Sequence, residues 1–393
     1  MSYKKVKISD IGKIVSGATP KTKDVDNYGG SIAWITPADL SGYTSKYISH
    51  GSRNITQKGY DSCSTHLMPR GTVLFSSRAP IGYVAIAENP ICTNQGFKSI
   101  VPNDDIDSEF LYYQLQYLRK KIQEKGSGTT FKEISGKVLG ETDIVVPSLE
   151  EQFRIVAHIE ELFSELDKAV DTLKTTKEQL AVYRQAVLKD AFSDFEKKDS
   201  IRNLTTVVTS GSRGWAKYYS ENGALFVRIG NLTHSGIDID FSDIQHITPP
   251  DNAEGIRTRL QPNDVLVSIT ADLGSIGFVS EKVEEAYINQ HIALVRFQNP
   301  VQGRFMAWYL RSEYGQKDLL KNKRGGGKLG LGLDDIRDTP VPIVDDITAK
   351  EIVDKVEEQL SVCDSIEKTV DTALTQADAM RQSILKQAFE GKI

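Results

Sequence analysis

The chain has 393 residues, 39% of them hydrophobic and 26% charged, which is ordinary for a globular protein of two or three domains. No run approaches the ~18 apolar residues of a membrane span and no apolar signal segment follows the N-terminus, so we expect a cytoplasmic protein without a membrane partner. The formal net charge of −5 argues at first sight against a nucleic-acid partner, and the three widely spaced cysteines suit a reducing compartment without disulfides.

Short β-prone runs dominate the first part of the chain. They are separated by Gly, Pro and Asn and lie at 72–75, 83–87, 97–101 and 144–146. A helix is predicted at 108–123, because Phe110, Leu111, Leu115 and Leu118 fall on one side of it. These signals predict a mixed domain, with a twisted sheet and a few helices.

A glycine-rich loop follows this helix at 124–132. Its glycine, hydroxyl and basic residues would let the backbone approach phosphates closely and would offer many hydrogen-bond donors. A flexible surface turn is the alternative interpretation. A similar loop at 321–330 in the second half of the chain favours a functional role.

A long helix is predicted at 148–192. Apolar residues recur every seven positions in one row, Ile159, Leu166, Leu173, Leu180 and Val187, and a second row lies three positions later, Leu162, Ala169, Thr176 and Tyr183. This is the narrow seam of a coiled coil. Ser148 with Glu151 fits a capping box, and Pro147 keeps the helix from extending backwards.

The pattern of the first half recurs in the second. Segment 184–192 matches 381–389, 197 residues later. Earlier matches pair 34–40 with 226–232, 71–76 with 263–268, 94–95 with 289–290, and 110–115 with 305–310, which places a second helix at 303–320. The chain is therefore a tandem duplication. We predict a first mixed domain at 1–147, a long helix at 148–197, a second domain at 198–344 and a second long helix at 345–393.

The second long helix carries the same two rows, which are Val356, Cys363, Val370, Ala377 and Ile384, and Gln359, Ile366, Ala373 and Met380. Thr348, with Glu351 three positions later, is its predicted cap. Because both seams contain weak members, neither helix is expected to stand alone. We predict an α+β fold, with two pseudo-repeated mixed α/β domains separated by two long antiparallel coiled-coil helices; two unrelated surface helices are the alternative.

The negative charge is concentrated on these helices. Residues 148–192 carry a net charge of −3 and residues 345–389 carry −5, which leaves +3 for the remainder of the chain. The domains are thus mildly basic, which permits a local DNA-binding face but does not demonstrate one.

The ordered set of motifs resembles the DNA specificity (S) subunits of type I restriction–modification systems. The segments that carry the resemblance are 8–14, 17–21, 28–37, 71–74, 81–82, 93–97, 126–131 and 147–152, and the duplicated layout is itself typical of the family. The second domain departs from the first, because 212–217 replaces the Thr-Pro-Lys run of 19–21, and Asp345 and Asp346 stand where the first helix has Glu150 and Glu151.

The resemblance implies a non-catalytic subunit. Such a subunit recognises a bipartite double-stranded DNA target and recruits two modification (methyltransferase) subunits and restriction subunits. S-adenosylmethionine, ATP and Mg are then expected on the partner subunits, with no cofactor or metal on this chain. A rigid helical spacer would set the number of unspecified base pairs between the two half-sites.

Base reading requires side chains in the major groove, usually Arg, Lys, Asn and Gln. In the first domain the nominated DNA-binding residues are Lys21, Lys23, Tyr28, Ser77, Arg78, Thr129, Thr130 and Lys132. In the second they are Arg213, Trp215, Lys217, Arg228, Asn231, Thr270, Arg324 and Lys328. Arg78 is the foremost candidate, because it follows a strand end and precedes Pro80; a structural ion pair is the alternative.

The family and the apolar residues near the helix ends suggest where partner subunits dock. The nominated residues are Gln152, Phe153, Arg184, Gln185, Leu188 and Phe192, with Arg381, Gln382, Leu385 and Phe389 in the second copy. Packing against the domains is the alternative for Leu188 and Phe192.

Catalytic motifs are missing from the sequence. Gly325–Leu329 fails as a phosphate-binding loop, since Asn322 replaces the first Gly and no Ser or Thr follows Lys328. Cys63 and His66 have half of a zinc spacing without a second pair nearby. Two rivals remain: a non-catalytic scaffold that clamps proteins with duplicated heads, and a restriction enzyme with fused catalytic domains, which the missing motifs disfavour.

Overall fold

The structure is a computed structural model that describes residues 4–128, 132–321, 323–324 and 329–392. Internal contacts divide the chain into two compact units. Unit 1 comprises Met1–Leu173 and Thr372–Ile393, and unit 2 comprises Lys174–Asp371. Each unit therefore holds one mixed domain and a part of each long helix. Among the described residues, no helix is both long and apolar enough to cross a bilayer.

Unit 1 is built on a five-stranded sheet. Its strands are β1 (Lys4–Lys7), β2 (Gly12–Ser16), β3 (Tyr28–Ile32), β4 (Trp34–Ile35), β5 (Tyr47–Ile48), β6 (Val73–Phe75), β7 (Val84–Ala87), β8 (Cys92–Thr93), β9 (Lys98–Pro102) and β10 (Asp143–Val146). Its short helices are α1 (Ile8–Ile11), α2 (Gln57–Asp61), α3 (Ser108–Glu124) and α4 (Gly136–Gly140). The sheet order is β2-β9-β6-β7-β5, with β1 paired to β10 and β4 paired to β8.

Strand β6 is buried on both faces, which its apolar sequence predicts. Val73 and Phe75 point towards α3 and pack in one core with Phe110. Leu74 points to the opposite face and packs in a second core with Phe97. This alternation follows from the two-residue period of a strand. The predicted strands and the helix 108–123 are confirmed.

Unit 2 repeats this construction with two four-stranded sheets. Its strands are β11 (Lys198–Ser200), β12 (Thr205–Ser210), β13 (Tyr219–Ser220), β14 (Ala224–Val227), β15 (Gln245–Ile247), β16 (Val265–Ser268), β17 (Ile276–Phe278), β18 (Ala286–Ile288), β19 (Ile292–Phe297) and β20 (Pro340–Pro342). The sheet orders are β12-β19-β16-β17 and β13-β15-β14-β18, and β11 pairs with β20.

The single helix predicted at 303–320 is wrong. The chain forms two helices, α8 (Gly303–Arg311) and α9 (Glu313–Leu319), after the shorter α6 (Ile201–Leu204) and α7 (Ala253–Thr258) and before α10 (Leu333–Arg337). The break lies at Ser312, whose backbone is extended and whose hydroxyl accepts a hydrogen bond from the Gly315 N–H at 3.3 Å. Serine thus starts a new helix instead of continuing the old one.

The long helices are α5 (Leu149–Ala191, 43 residues) and α11 (Asp346–Phe389, 44 residues). The Ser148 hydroxyl accepts a hydrogen bond from the Glu151 N–H at 3.4 Å, as predicted. The predicted cap of α11 is wrong. Asp345, not Thr348, starts this helix, because its carboxylate accepts the N–H groups of Ile347 at 3.0 Å and Thr348 at 2.9 Å.

The two long helices pack against each other in antiparallel directions, as predicted. In unit 2, Lys177 forms an ion pair with Asp371 at 2.8 Å and Arg184 forms one with Asp364 at 2.7 Å. The partner of the later residue in α5, Arg184, comes earlier in α11 than the partner of Lys177, so the two helices run in opposite directions. In unit 1 the corresponding ion pair joins Asp167 and Arg381.

Only one of the two predicted apolar rows forms the seam. Ile159 and Val356 are fully buried, and most members of their rows are buried with them. The second row is wrong for Tyr183, Ile366 and Met380, which are 48%, 40% and 54% exposed. Instead of the second row, residues that lie four positions after members of the first row pack into the domain cores. Phe163, four positions after Ile159, and Leu360, four positions after Val356, are examples. The domains cover that side of each helix, and a sequence period cannot reveal this.

Candidate nucleic-acid interface

In unit 1 the chain makes a tight turn after β6, at residues 76–82. The Ser76 hydroxyl donates to the Pro80 carbonyl at 2.7 Å and accepts from the Tyr83 N–H at 2.7 Å. The Gly82 N–H donates to the Ser76 carbonyl at 2.9 Å. Ala79 adopts a positive φ of 50° inside this turn. The turn presents Arg78 beside the end of a central strand.

Unit 2 builds the same turn after β16. The Ser268 hydroxyl donates to the Asp272 carbonyl and accepts from the Ser275 N–H at 2.8 Å. The Gly274 N–H donates to the Ser268 carbonyl at 3.2 Å, and Ala271 has a positive φ of 63°. The two domains thus share this backbone device although their sequences differ.

The described flanks of each glycine-rich loop are hydrogen-bonded to each other and to the turn of the same unit. In unit 1, Ser127 and Glu133 exchange backbone hydrogen bonds of 3.1 and 2.9 Å, and the Ile134 N–H donates to the Ser77 carbonyl at 2.9 Å. The loop flank and the turn therefore form one surface. Residues 129–131, which include the nominated Thr129 and Thr130, lie outside the described residues.

The flanks of the unit 2 loop are joined to each other and to the turn in the same way. Arg324 and Gly330 exchange backbone bonds of 3.0 and 2.8 Å, and the Leu331 N–H donates to the Ile269 carbonyl at 2.9 Å. The nominated Lys328 lies outside the described residues. In both units the turn and the loop, nominated separately from sequence, are brought together.

Most nominated cations are accessible to solvent. Lys21, Lys23, Lys132, Arg213 and Lys217 are exposed. An exposed cation on a long, flexible stem can reach a phosphate at little cost in conformational strain.

Arg78 is only loosely paired. Its Nη1 lies 3.8 Å from Glu133 Oε2, and Lys98 Nζ lies 3.9 Å from the other oxygen of that carboxylate. Long, partly exposed ion pairs of this kind contribute little to stability. The guanidinium of Arg78 can therefore leave Glu133 for a phosphate or a base edge at small cost.

Arg228, Thr270 and Arg324 have intramolecular partners. Arg228 contacts an exposed carboxylate, that of Asp243, at 3.4 Å. The Thr270 hydroxyl is hydrogen-bonded to His291 Nδ1. Arg324 Nη2 lies 2.7 Å from the buried Asp335, although most of its side chain is exposed.

Two nominations in unit 1 are wrong because the side chains are buried. Tyr28 donates its hydroxyl to the Pro20 carbonyl at 2.9 Å and packs edge-on against Trp34. Ser77 is fully buried beneath the turn. Neither side chain can reach a base edge.

Two nominations in unit 2 are wrong for the same reason. Trp215 stacks on Phe226 with the ring planes 8° apart, and its Nε1 donates to Glu254 at 2.7 Å. Asn231 accepts the Arg228 N–H at 2.8 Å, and its amide nitrogen donates to the Asp240 carbonyl at 2.8 Å. Both side chains are buried and have their partners within the domain.

Two arginines that sequence reasoning missed support the candidate interface. The Arg53 guanidinium lies 3.5 Å from the centre of the Tyr28 ring, next to the segment with Lys21. Arg257 donates to the Thr209 hydroxyl at 2.6 Å and to the Ser212 hydroxyl at 2.8 Å. Arg257 thereby fixes the segment that leads to Arg213. No local motif marks either arginine, because their partners are distant in sequence.

The nominated docking residues divide into buried and accessible groups. The expectation of exposure is wrong for Gln152, Leu188, Phe192, Leu385 and Phe389, which are buried. Gln152 accepts the Asp107 N–H at 2.8 Å, and the four apolar residues pack in the cores of the units. Phe153, Gln185 and Gln382 are exposed, whereas Arg184 and Arg381 form ion pairs between the long helices.

One cluster superficially resembles a catalytic triad. His234 Nε2 lies 2.8 Å from Asp272 and 3.1 Å from the Ser275 hydroxyl. A triad uses the two different ring nitrogens of histidine for these contacts, whereas one nitrogen serves both here. The described residues also contain no group of three or more His, Cys, Asp or Glu that could hold a metal ion.

Comparison with known proteins identifies relatives over part or all of the chain, and the chain spans about three fifths of the length of the first of them. The type I restriction enzyme MjaIX specificity subunit of Methanocaldococcus jannaschii is 39% identical over 261 residues, which span 60% of this chain and 59% of that protein. The EcoBI specificity subunit of Escherichia coli is 24% identical over 426 residues, covering 100% of this chain and 86% of that protein.

Solved structures share the fold. One of them comes from a structural study of complex assembly and conformational transition of the type I R-M system. It has a TM-score of 0.79 at 17% sequence identity, and the match covers 100% of this chain and 98% of that chain. The HsdS subunit from Thermoanaerobacter tengcongensis has a TM-score of 0.58 at 18% sequence identity, and the match covers 100% of this chain and 97% of that chain. These likenesses confirm the predicted fold class.

The model of the type I restriction modification DNA specificity domain family matches residues 2–181 and 227–376, once in each half of the duplication. Because these two stretches cover most of its length, the chain belongs to the type I restriction modification DNA specificity domain family.

Proposed function

We propose that this chain is the specificity subunit of a type I restriction–modification complex. Each unit reads one half of a bipartite duplex target with its strand-end turn and glycine-rich loop. The observation that carries this proposal is the repetition of that turn, with the same backbone hydrogen bonds at 76–83 and 268–275, in a chain of this family. A surface repeated in this way suits two related half-sites better than a single protein partner.

The reactions belong to other chains in this proposal. Two modification subunits methylate adenine with S-adenosylmethionine, and restriction subunits cleave DNA with ATP and Mg. A triad mechanism is not available at His234, Asp272 and Ser275, because one ring nitrogen serves both contacts. This chain supplies base recognition and docking surfaces.

The division of labour between the units can be tested with half-site substitutions. Complexes with the modification subunits would be assayed by methylation and by binding to duplexes altered in one half-site. Arg78→Ala should weaken binding through one half-site, and Arg213→Ala through the other, because the two residues lie in different units. If both variants failed on the same half-site, the assignment of one half-site to each unit would be wrong.

We further propose that the lengths of α5 and α11 fix the number of unspecified base pairs. Inserting four helical residues after Thr175 and after Thr372 adds ~6 Å to each helix and should add one or two base pairs at ~3.4 Å each. The control inserts the same residues in α5 alone, which disrupts helix pairing and should abolish methylation instead of shifting the spacer. Genome-wide mapping of methylated adenine that found an unchanged spacer in the double insertion would refute this idea.

The rival function is a protein-clamping scaffold. It predicts that neither the chain nor its complex retards a duplex in a sequence-dependent way. A mobility-shift assay with cognate and scrambled duplexes separates the two functions.

A further inference from the structure

A large cavity in unit 2 lies outside the candidate nucleic-acid interface. Its volume is about 980 Å³, within the usual range of binding pockets. The walls are formed by residues 177–188 of α5, residues 357–367 of α11, the end of α8, and the loop at 233–238. The cavity therefore opens where the two long helices meet the mixed domain of unit 2.

The cations that line this cavity are paired, with one exception. Lys177, Arg184 and Arg304 form ion pairs with Asp371, Asp364 and Glu357. Arg311 forms no ion pair or hydrogen bond with any residue that the structure describes, and its Nε is buried without a partner. Burial lowers the pKa of the Arg311 guanidinium, and no carboxylate of the described residues lies within ion-pairing distance to oppose the effect.

An unpaired, partly buried guanidinium costs stability unless something binds it. The duplication shows that the fold does not require a cation at this position. The equivalent residue in unit 1, on the matching helix α3, is Gln116. The packing of unit 2 therefore does not explain why an arginine stands at position 311. An anion is the ligand that would pair with its guanidinium.

The other lining residues select the kind of anion. Five carboxylates also line the cavity, those of Asp238, Glu313, Glu357, Asp364 and Glu367. The five carboxylates outnumber the four Lys and Arg side chains of the lining, so the cavity lacks the net positive charge that binding of a nucleic-acid backbone requires. Leu180, Leu188 and Leu360 supply apolar wall, which suits a polypeptide. A single carboxylate flanked by apolar or basic side chains matches both the isolated cation and its surroundings.

We propose that Arg311 binds a carboxylate carried by a polypeptide segment of the modification subunit, which enters this cavity at the junction of α5, α8 and α11. This inference rests on the proposed function, because it takes a docked modification subunit as given. It predicts that the two docking sites of the chain differ, since unit 1 has Gln116 in place of Arg311.

The test uses the full chain with its modification subunit. Arg311→Gln introduces the residue found in unit 1, and Lys317→Gln is a matched control that removes a charge from an exposed position on α9. Native mass spectrometry and titration would measure the binding of both modification subunits. We expect Arg311→Gln to weaken one of the two binding events by about tenfold or more, as for other interfacial charge pairs, and Lys317→Gln to change neither event.

The stability of the free chain separates binding from folding. Arg311→Gln removes an uncompensated charge, so the thermal midpoint of the isolated chain should stay the same or rise. Weaker assembly together with a lower midpoint would mean that Arg311 supports the fold, and this result would overturn the proposal. Arg311→Lys should retain part of the affinity, because it keeps the charge but loses the bidentate geometry.

Amide exchange identifies the ligand. Adding the modification subunit should protect residues 177–188 and 357–367, whereas adding a cognate duplex alone should not. Protection by the duplex alone would indicate a phosphate ligand and refute the polypeptide assignment. If the wild-type chain bound no modification subunit, the proposed function itself would fail; if it bound two and Arg311→Gln matched the control, only this inference would fail.

Discussion

The replacement of Phe192 by alanine tests whether the end of α5 belongs to a core or to a docking surface. Phe192 was nominated from sequence as an exposed docking residue, but it is only 2% exposed. Its ring centre lies 5.5 Å from that of Phe305 and 5.8 Å from that of Tyr309, both in edge-on geometry. These contacts join the residue that follows α5 to α8 within unit 2.

The expected cost follows from this burial. Removing a fully buried phenylalanine destabilises a protein by about 3–5 kcal/mol, which combines the lost transfer free energy with the cavity left behind. Phe153, near the start of α5, is 53% exposed. Its replacement by alanine should change the free energy of unfolding by less than about 0.5 kcal/mol.

Native-state amide exchange in urea is the suitable assay, because it reports each unit separately. In Phe192→Ala the opening free energy of amides in α8 should fall by about 3–5 kcal/mol. Amides of α3, in unit 1, should be unaffected. The equivalent change Phe389→Ala should reverse this pattern, because Phe389 packs against Phe110 of α3 with the ring centres 5.4 Å apart.

Two outcomes would contradict the reasoning. If Phe192→Ala were as mild as Phe153→Ala, the buried position of Phe192 would be incorrect. If it left the stability of the free chain unchanged but prevented modification subunits from binding, the docking role inferred from sequence would be restored.

Other predictions follow from single contacts. Asp345→Ala should lower the thermal midpoint by fraying the start of α11, whereas Thr348→Val should have a smaller effect, because Asp345 accepts the backbone N–H groups. These hydrogen bonds, led by that from Thr348, hold the pKa of Asp345 below its usual value, so its contribution is present at neutral pH and is lost as the pH falls through the lowered pKa. Thermal melts at pH 7 and pH 3 should therefore show a smaller pH dependence for Asp345→Asn than for the wild type. Asn231→Ala should destabilise unit 2, measured by urea denaturation, since it leaves the Asp240 carbonyl without its 2.8 Å donor, and an unchanged midpoint would argue against its structural role. Arg78→Ala should reduce affinity for the cognate duplex and lower the slope of log affinity against log salt by about one if the contact is to phosphate, and equal affinity of variant and wild type at moderate salt would remove Arg78 from the interface.

The sequence was informative wherever a pattern repeats. The match between 184–192 and 381–389 predicted two equivalent long helices, and the strand around Val73 was visible as an apolar run. The pairing of the two long helices was predicted because each apolar seam contains weak members, so that neither helix is expected to be stable by itself. These features depend on local period and on duplication, which a single chain displays directly.

The direction of individual side chains was not predictable. Trp215 and Lys217 are two positions apart in a basic stretch, yet Trp215 is buried on Phe226 and Lys217 is exposed. An aromatic residue beside cations has the same sequence signature in a core as on a DNA-binding face. Arg311 was missed for a related reason, because its isolation depends on α5, α11 and a loop that are distant from it in sequence.

The discontinuous composition of unit 1 has a consequence for biosynthesis. Unit 2 is one continuous stretch, whereas unit 1 needs residues 372–393 to complete its core. At translation rates of about 5–20 residues per second, the segment bearing Phe389 leaves the ribosome some 10–40 s after the first 173 residues. During that interval Phe110 and Tyr117 lack the ring of Phe389 that covers them in the finished protein. The nascent N-terminal half is therefore the part of this polypeptide with the greatest need for chaperone protection.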